Sequence, residues 1–184
     1  MTGAALPGAE FKLTYADGRP VDAAGGKLSS GGIYATDQRG EITITNVTGT
    51  IVAEETKAPE GYTINRANSR QTVVVNPEDT QTLTFTNDPL CTLTVIKRDA
   101  STKEPLAGAE VSVKVENTVK SVVTGKDGTA TVTGIVPGAT ATVTELSAPA
   151  GYAVNSMPQT ITLVSGAENY VYIDNEPTTT LIIQ

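Results

Sequence analysis

Histidine is missing from this 184-residue chain altogether, cysteine occurs once and tryptophan not at all. Without histidine the commonest general base and metal ligand is gone. One cysteine cannot build a thiolate zinc site, and no Cys–His or Ser–His catalytic pair and no intrachain disulfide can form. No metal, no cofactor and no turnover on an external substrate are therefore expected. Basic residues are also scarce, 13 Lys and Arg against 20 Asp and Glu, for a net charge of −7. Nucleic acid and anionic membrane need clustered cations, so neither is an expected partner. No apolar run is long enough for a transmembrane helix, and no signal peptide leads the chain, because Met1 runs directly into TGAALPGAEF. The chain reads as a fragment of something longer.

What is abundant is Thr, Val, Gly and Pro, which suit half-buried strands and tight turns. Alternating segments recur at residues 10–14, 41–45, 50–54, 72–75 and 82–86, and again at 92–96, 110–115, 130–133, 140–144, 160–164 and 170–174. Turn signals such as Asp17-Gly18, Arg39-Gly40, Asp127-Gly128 and Pro137-Gly138 separate them. No stretch has a helical period. The expected class is all-β, a β-sandwich or small barrel. A duplication organises the whole: residues 55–62 (ETKAPEGY) and 145–152 (ELSAPAGY) each lead to a segment closing on Asn-x-Pro, with Asn175 following Asn87 by 88 positions. That period is one small domain, so we expect domain 1 at residues 1–88, domain 2 at 89–176 and the start of a further repeat at 177–184. The joining segment 87–91 is too short for a flexible tether.

The motifs LTVIKRD, PLAGAEV, GKDGTATVTGIVPG, TVTELSAPAGY and YVYIDNEP, answered in the first half by LPGAEF, YATDQRGEITITNV, ETKAPEGY and TLTFTNDP, resemble the collagen-adhesin B-type (CnaB) domain of Gram-positive surface adhesins and pilin shafts. Found twice in the same order, the set spans essentially the whole chain. The resemblance implies two tandem transthyretin-like, Ig-like β-sandwiches. In each, the first and last strands are neighbours that a self-formed Lys–Asn isopeptide bond can join. Matching motifs place the cross-link at Lys97 and Asn175, with Glu145 as proton shuttle. Physical chemistry is compatible: an amine attacks a carboxamide only when neutral, and burial among residues such as Val95 and Ile161 lowers the pKa of a lysine. A paired acid can then move the proton as ammonia leaves. This is one maturation event, not an enzymatic turnover.

In domain 1 the counterparts are Glu55 and Asn87, while Glu54, one residue away on a strand, is expected to face solvent. Aligning LPGAEF with LAGAEV puts the matching lysine before Met1, so the opening strand of that domain is expected to be absent and Asn87 unpartnered. Lys12 aligns with Ser112 on a different strand and is a poor substitute. Residues 177–184 (PTTTLIIQ) match 89–96 (PLCTLTVI) and stop one residue before the position of Lys97. Head-to-tail self-association, this tail adding to domain 1 of another copy, is one expected partnership.

The remaining features are plain. Tyr62 and Tyr152 are expected to anchor turns, Asn46-Val47-Thr48 is a formal glycosylation sequon of no weight in a bacterial chain, and Cys91 is expected to be an apolar filler. Residues 6–10 (LPGAE) are not a sortase signal. The expected function is a structural stalk or spacer of a wall-anchored extracellular surface protein, adhesin or pilin-like, whose partners are the neighbouring domains of the parent protein. An adhesive module that contacts a host matrix protein or glycan through residues 16–32 is the alternative.

Overall fold

The computed structural model describes residues 3–21, 31–179 and 183. Among these residues there are strands and no helix, and the chain divides between Asp88 and Pro89 into two compact units. The first unit contains β1 (Glu10–Tyr15), β2 (Ile33–Ala35), β3 (Gly49–Lys57), β4 (Tyr62–Ile64), β5 (Arg70–Val75) and β6 (Asn87–Pro89), the last ending across the boundary. An antiparallel sheet runs β2-β1-β3-β5, and β4 pairs with β6. Alternation sets its faces: Phe11, Leu13, Ile51 and Ala53 are buried with Val21 and Tyr34, whereas Lys12 and Glu54 remain exposed.

The second unit contains β7 (Cys91–Asp99), β8 (Glu110–Val115), β9 (Thr118–Val123), β10 (Thr129–Ile135), β11 (Thr140–Ser147), β12 (Gln159–Thr162) and β13 (Asn169–Asn175). Two sheets, β10-β7-β13 and β12-β11-β8-β9, face each other over Leu93, Val95, Val111, Val113, Val143, Leu163 and Ile173. All pairings are antiparallel except that of β13 with β7, which is parallel. The first and last strands of this unit are thus direct neighbours.

Two expected strands, residues 41–45 and 82–86, are not strands. One repeat on, their counterparts lie in β10 and β13, and both of those strands pair with β7. A strand ladder needs a partner, and among the described residues the first unit has no strand corresponding to β7. Side-chain alternation nevertheless survives there: Ile42, Ile44, Leu83 and Phe85 are half-buried against the core while Glu41, Thr43, Thr82 and Thr84 are exposed. Strand β9 was not anticipated, because nearly all its side chains are exposed and it forms through its hairpin with β8 and not through apolar alternation. Residues 22–30, most of the adhesive-loop candidate, and residues 180–182 and 184 of the tail lie outside the described residues.

Candidate cross-linking site

Lys97 lies on the inward face of β7, in line with Cys91, Leu93, Val95 and Asp99. A lysine there has no path to water, and it is 0% exposed. Its backbone is fixed from both sides: the N–H donates to the Gly128 carbonyl at 2.8 Å, and the carbonyl accepts from the Leu106 N–H at 2.9 Å. Gly128 is required at its turn, because φ is +71° and a Cβ would lie 2.5 Å from the Lys97 carbonyl oxygen.

Asn175 comes from β13. In the parallel register Ile173 stands opposite Lys97, so Asn175 lies two residues further along on the same face, about 7 Å by strand rise and within reach of a lysine side chain. Glu145 comes from the opposing sheet, on the β11 face that also buries Ala141 and Val143. Its Oε1 lies 3.4 Å from Lys97 Nζ, and its Oε2 accepts from Asn175 Nδ2 at 2.8 Å. Lys97 Nζ donates to the Ile173 carbonyl at 2.9 Å, and Asn175 Nδ2 also donates to the Ala153 carbonyl at 2.6 Å. Burial pushes the Lys97 amine below its ordinary value, against the opposing pull of the Glu145 charge beside it. One carboxylate therefore spans an amine and a carboxamide in a dry interior. Glu145 Oε1, beside the Lys97 amine, and Asn175 Oδ1 are buried without a hydrogen-bond partner.

Several supporting residues escaped the sequence reading. The Asn155 N–H donates to Glu145 Oε2 at 2.6 Å and its Nδ2 donates to the Asp174 carbonyl at 3.1 Å, so one residue orients the acid and braces β13. Tyr152 is more than a turn anchor: its hydroxyl donates to Asp99 Oδ2 at 3.0 Å, tying the segment after β11 to the end of β7. Backbone N–H groups of Thr102 and Ser101 hold the Asp99 carboxyl below its usual range. The available signal was the position of Asn155, three residues after Tyr152, matched by Asn65 three residues after Tyr62.

The first unit holds half of the same arrangement. Glu55 is buried, and Asn87 Nδ2 donates to its Oε1 at 2.8 Å and to the Thr63 carbonyl at 3.3 Å, reproducing the contacts of Asn175 with Glu145 and Ala153. Glu54 is exposed, 3.9 Å from Arg70. Burial pushes the Glu55 carboxyl up, opposed by the Asn87 hydrogen bond, and Glu55 Oε2 has no hydrogen-bond partner. Among the described residues no lysine contacts this pair: Lys12 is exposed on β1, and Lys57 is bound to Glu10.

These features define a duplicated prealbumin-like sandwich with a buried Lys–Glu–Asn set in its second copy. The chain belongs to the SpaA prealbumin-like fold domain family, matched twice, over residues 1–89 and 91–177. It is built of tandem CnaB-type domains. Similar solved structures include the shaft pilin SpaA of Lactobacillus rhamnosus GG in a single-substitution variant, at 15% identity and a TM-score of 0.54, covering 98% of this chain and 96% of that one. A streptococcal ancillary pilin is similar at 25% identity and a TM-score of 0.48, covering 95% of this chain and 59% of that one. The Bacillus anthracis TIE protein is similar at 21% identity and a TM-score of 0.48, and the match covers 96% of this chain but 32% of that protein. The chain thus spans a third of one of these relatives and rather more than half of another. Among curated proteins no sequence matches.

Proposed function

We propose that this chain is a stalk segment of a bacterial surface protein, adhesin or pilin-like, extracellular and wall-anchored through the longer polypeptide to which it belongs. In this reading its second unit is locked by an isopeptide bond between Lys97 and Asn175. The observation that carries the reading is the burial of Lys97, Glu145 and Asn175 together, with the two oxygens of Glu145 turned one to the amine and one to the amide. Neutral Lys97 Nζ attacks Asn175 Cγ, the new C–N bond forms, the Cγ–Nδ2 bond breaks and ammonia leaves. Glu145 takes a proton from Nζ and delivers it to Nδ2. Fixing the partners in place supplies the effective concentration that this slow reaction lacks in water.

The mechanical benefit follows from topology. The bond joins the first strand of the unit to the last, so tension entering at Cys91 crosses from Lys97 to Asn175 and leaves residues 98–174 unloaded. By the loop-entropy argument used for disulfides, closing this 78-residue span adds roughly 4 to 5 kcal/mol. Slow unfolding and protease resistance follow. Intact mass under denaturing conditions tests the reading: a deficit of one ammonia, with the Lys97 and Asn175 peptides cross-linked, supports it. An unshifted mass removes the bond and leaves an ordinary spacer.

A further inference from the structure

We infer that β9 is a self-recognition edge, through which the second unit pairs antiparallel with the same strand of another copy of this chain. The two sheets of this unit end in four edge strands, β10, β13, β12 and β9, and the first three are blunted. β12 is four residues long, and Gln159 at its start donates from Nε2 to the Tyr172 carbonyl of β13 at 2.7 Å, so a side chain spans the flank between these two strands. On the other flank β10 is interrupted by a register shift between Val132 and Ile135, with Gly134 at φ +78°. Short edge strands, covered edges and bulges are devices that stop edges from pairing. β9 carries none of them: its six residues hold an unbroken register with β8, contain no proline and have a strand neighbour on one side only.

Hairpin geometry defines what the open side of β9 offers. Only Glu116 and Asn117 separate the paired Val115 and Thr118, so that pair exchanges both backbone hydrogen bonds. By alternation Val119, Ser121 and Val123 direct their N–H and C=O groups away from β8. Their side chains share the outer face of the sheet, where Val119 and Val123 are each 61% exposed. Val122 packs on the core, and Lys120 lies on the same face of the strand. Two copies related by a twofold axis normal to the sheet keep these faces aligned, and the side chains then select the register. With Ser121 opposite its own copy, Val119 meets Val123 and Lys120 meets Val122 in both halves of the pair, β-branched partners on one face and no like charges directly opposed. The neighbouring register sets Lys120 against Lys120 and is disfavoured. The first register also brings the turn of one copy, with exposed Glu116, toward the far end of the other strand, where exposed Lys126 follows. The edge is complementary to itself in shape and in charge, and the occupant it selects is a second copy.

The pairing has a direction. β13 runs parallel to β7, so the chain enters the unit at Cys91 and leaves at Asn175, the opposite end of the strands. Rotation about the sheet normal reverses every direction that lies along the sheets, so paired units run antiparallel. Under the stalk reading, on which this last step rests, such pairs join molecules that extend toward each other from opposed surfaces, and weak single contacts add up over many copies.

Sedimentation of the full chain tests the surface. At concentrations rising to about 1 mM, where weak contacts become populated, a species of twice the chain mass is expected. Val119→Lys and Val123→Lys, both at exposed positions, should each abolish it and leave the melting of the second unit unchanged. Ser121→Cys should give a disulfide-linked dimer under mild oxidation, because position 121 faces itself, and Lys120→Cys should give about tenfold less. A monomer throughout the range overturns the inference. Dimers untouched by the valine variants overturn it as well, since they use another surface, and so does faster linkage through position 120 than through 121. For the opposed orientation, beads that carry the chain through its C-terminus should clump, and beads with Val119→Lys should not. Solution dimers without clumping overturn the opposed arrangement alone, and the ammonia deficit reports on the isopeptide reading independently of both.

Discussion

Val132 and Ile173 flank β7 in the second unit and are almost fully buried, whereas Ile44 and Phe85, one repeat earlier, flank nothing that the structure describes and are half-buried. The difference shows how much one strand decides. Because β7 is central in its sheet, it satisfies two neighbours at once and brings Leu93 and Val95 inward, each fully buried side chain contributing about 1.5 to 3 kcal/mol. With no counterpart among the described residues, the first unit retains its four-stranded sheet and its acid–amide pair, and residues 41–45 and 82–86 stay outside any ladder. The strand that completes the second sandwich is therefore also the one that carries the buried lysine.

The largest change should come from removing that amine. Lys97→Ala removes the buried amine beside Glu145 and with it the proposed cross-link, so the second unit should lose at least the roughly 4 to 5 kcal/mol of loop closure and melt much closer to the first in calorimetry. A second transition unmoved by the substitution would break the comparison. Glu145→Gln keeps both reacting residues and removes the proton carrier. The chain should then retain its full calculated mass, with the ammonia deficit restored only over much longer incubation.

A matched pair of glycine substitutions sharpens the contrast. Gly128→Ala and Gly40→Ala each force a Cβ against backbone at positive φ, costing about 1 to 3 kcal/mol. The first should also slow cross-linking by shifting Lys97, seen as slower ammonia loss. The second should lower the stability of the first unit alone, read from its amide hydrogen exchange.

Smaller still, Tyr152→Phe removes the hydrogen bond to Asp99 and should destabilise the second unit by about 1 kcal/mol, measured by urea titration of the Lys97→Ala background, where the proposed cross-link cannot mask it. The smallest effect concerns pH. The folded Glu55 carboxyl lies above its ordinary value of 4.5, so the folded first unit binds the proton more readily than the unfolded one. Its stability contribution is present at low pH and declines as pH rises from that ordinary value through the raised one. Glu55→Gln should flatten this part of the pH profile, measured by exchange rates in the first unit, while leaving the second unit unchanged.

Much of this was written in the pattern of residues. The alternation at 92–96 and 140–144 announced β7 and β11, and the spacing of the two APxGY segments announced the duplication. The same alternation at 41–45 and 82–86 was equally strand-like and formed no strand, because alternation specifies which face of a segment is apolar but not whether a neighbour exists to take its hydrogen bonds. Asn155 and the Tyr152–Asp99 pair were illegible for a different reason: their partners lie 10 and 53 residues away, and no local rule links them.

By itself the sequence determined the all-β class and the two repeats, since these rest on local periodicity and on motif order, while Lys97, Glu145 and Asn175 were singled out by the resemblance of their motifs to the family. Tertiary structure alone decided that β13 runs parallel beside β7 and that Glu145 crosses from the opposing sheet. It also decided that both oxygens of Glu145 are engaged, one beside the Lys97 amine and one on the Asn175 amide. Those relations depend on which strands become neighbours, and pairing over 76 residues is fixed by the packing of the whole sandwich and by nothing in the local chain.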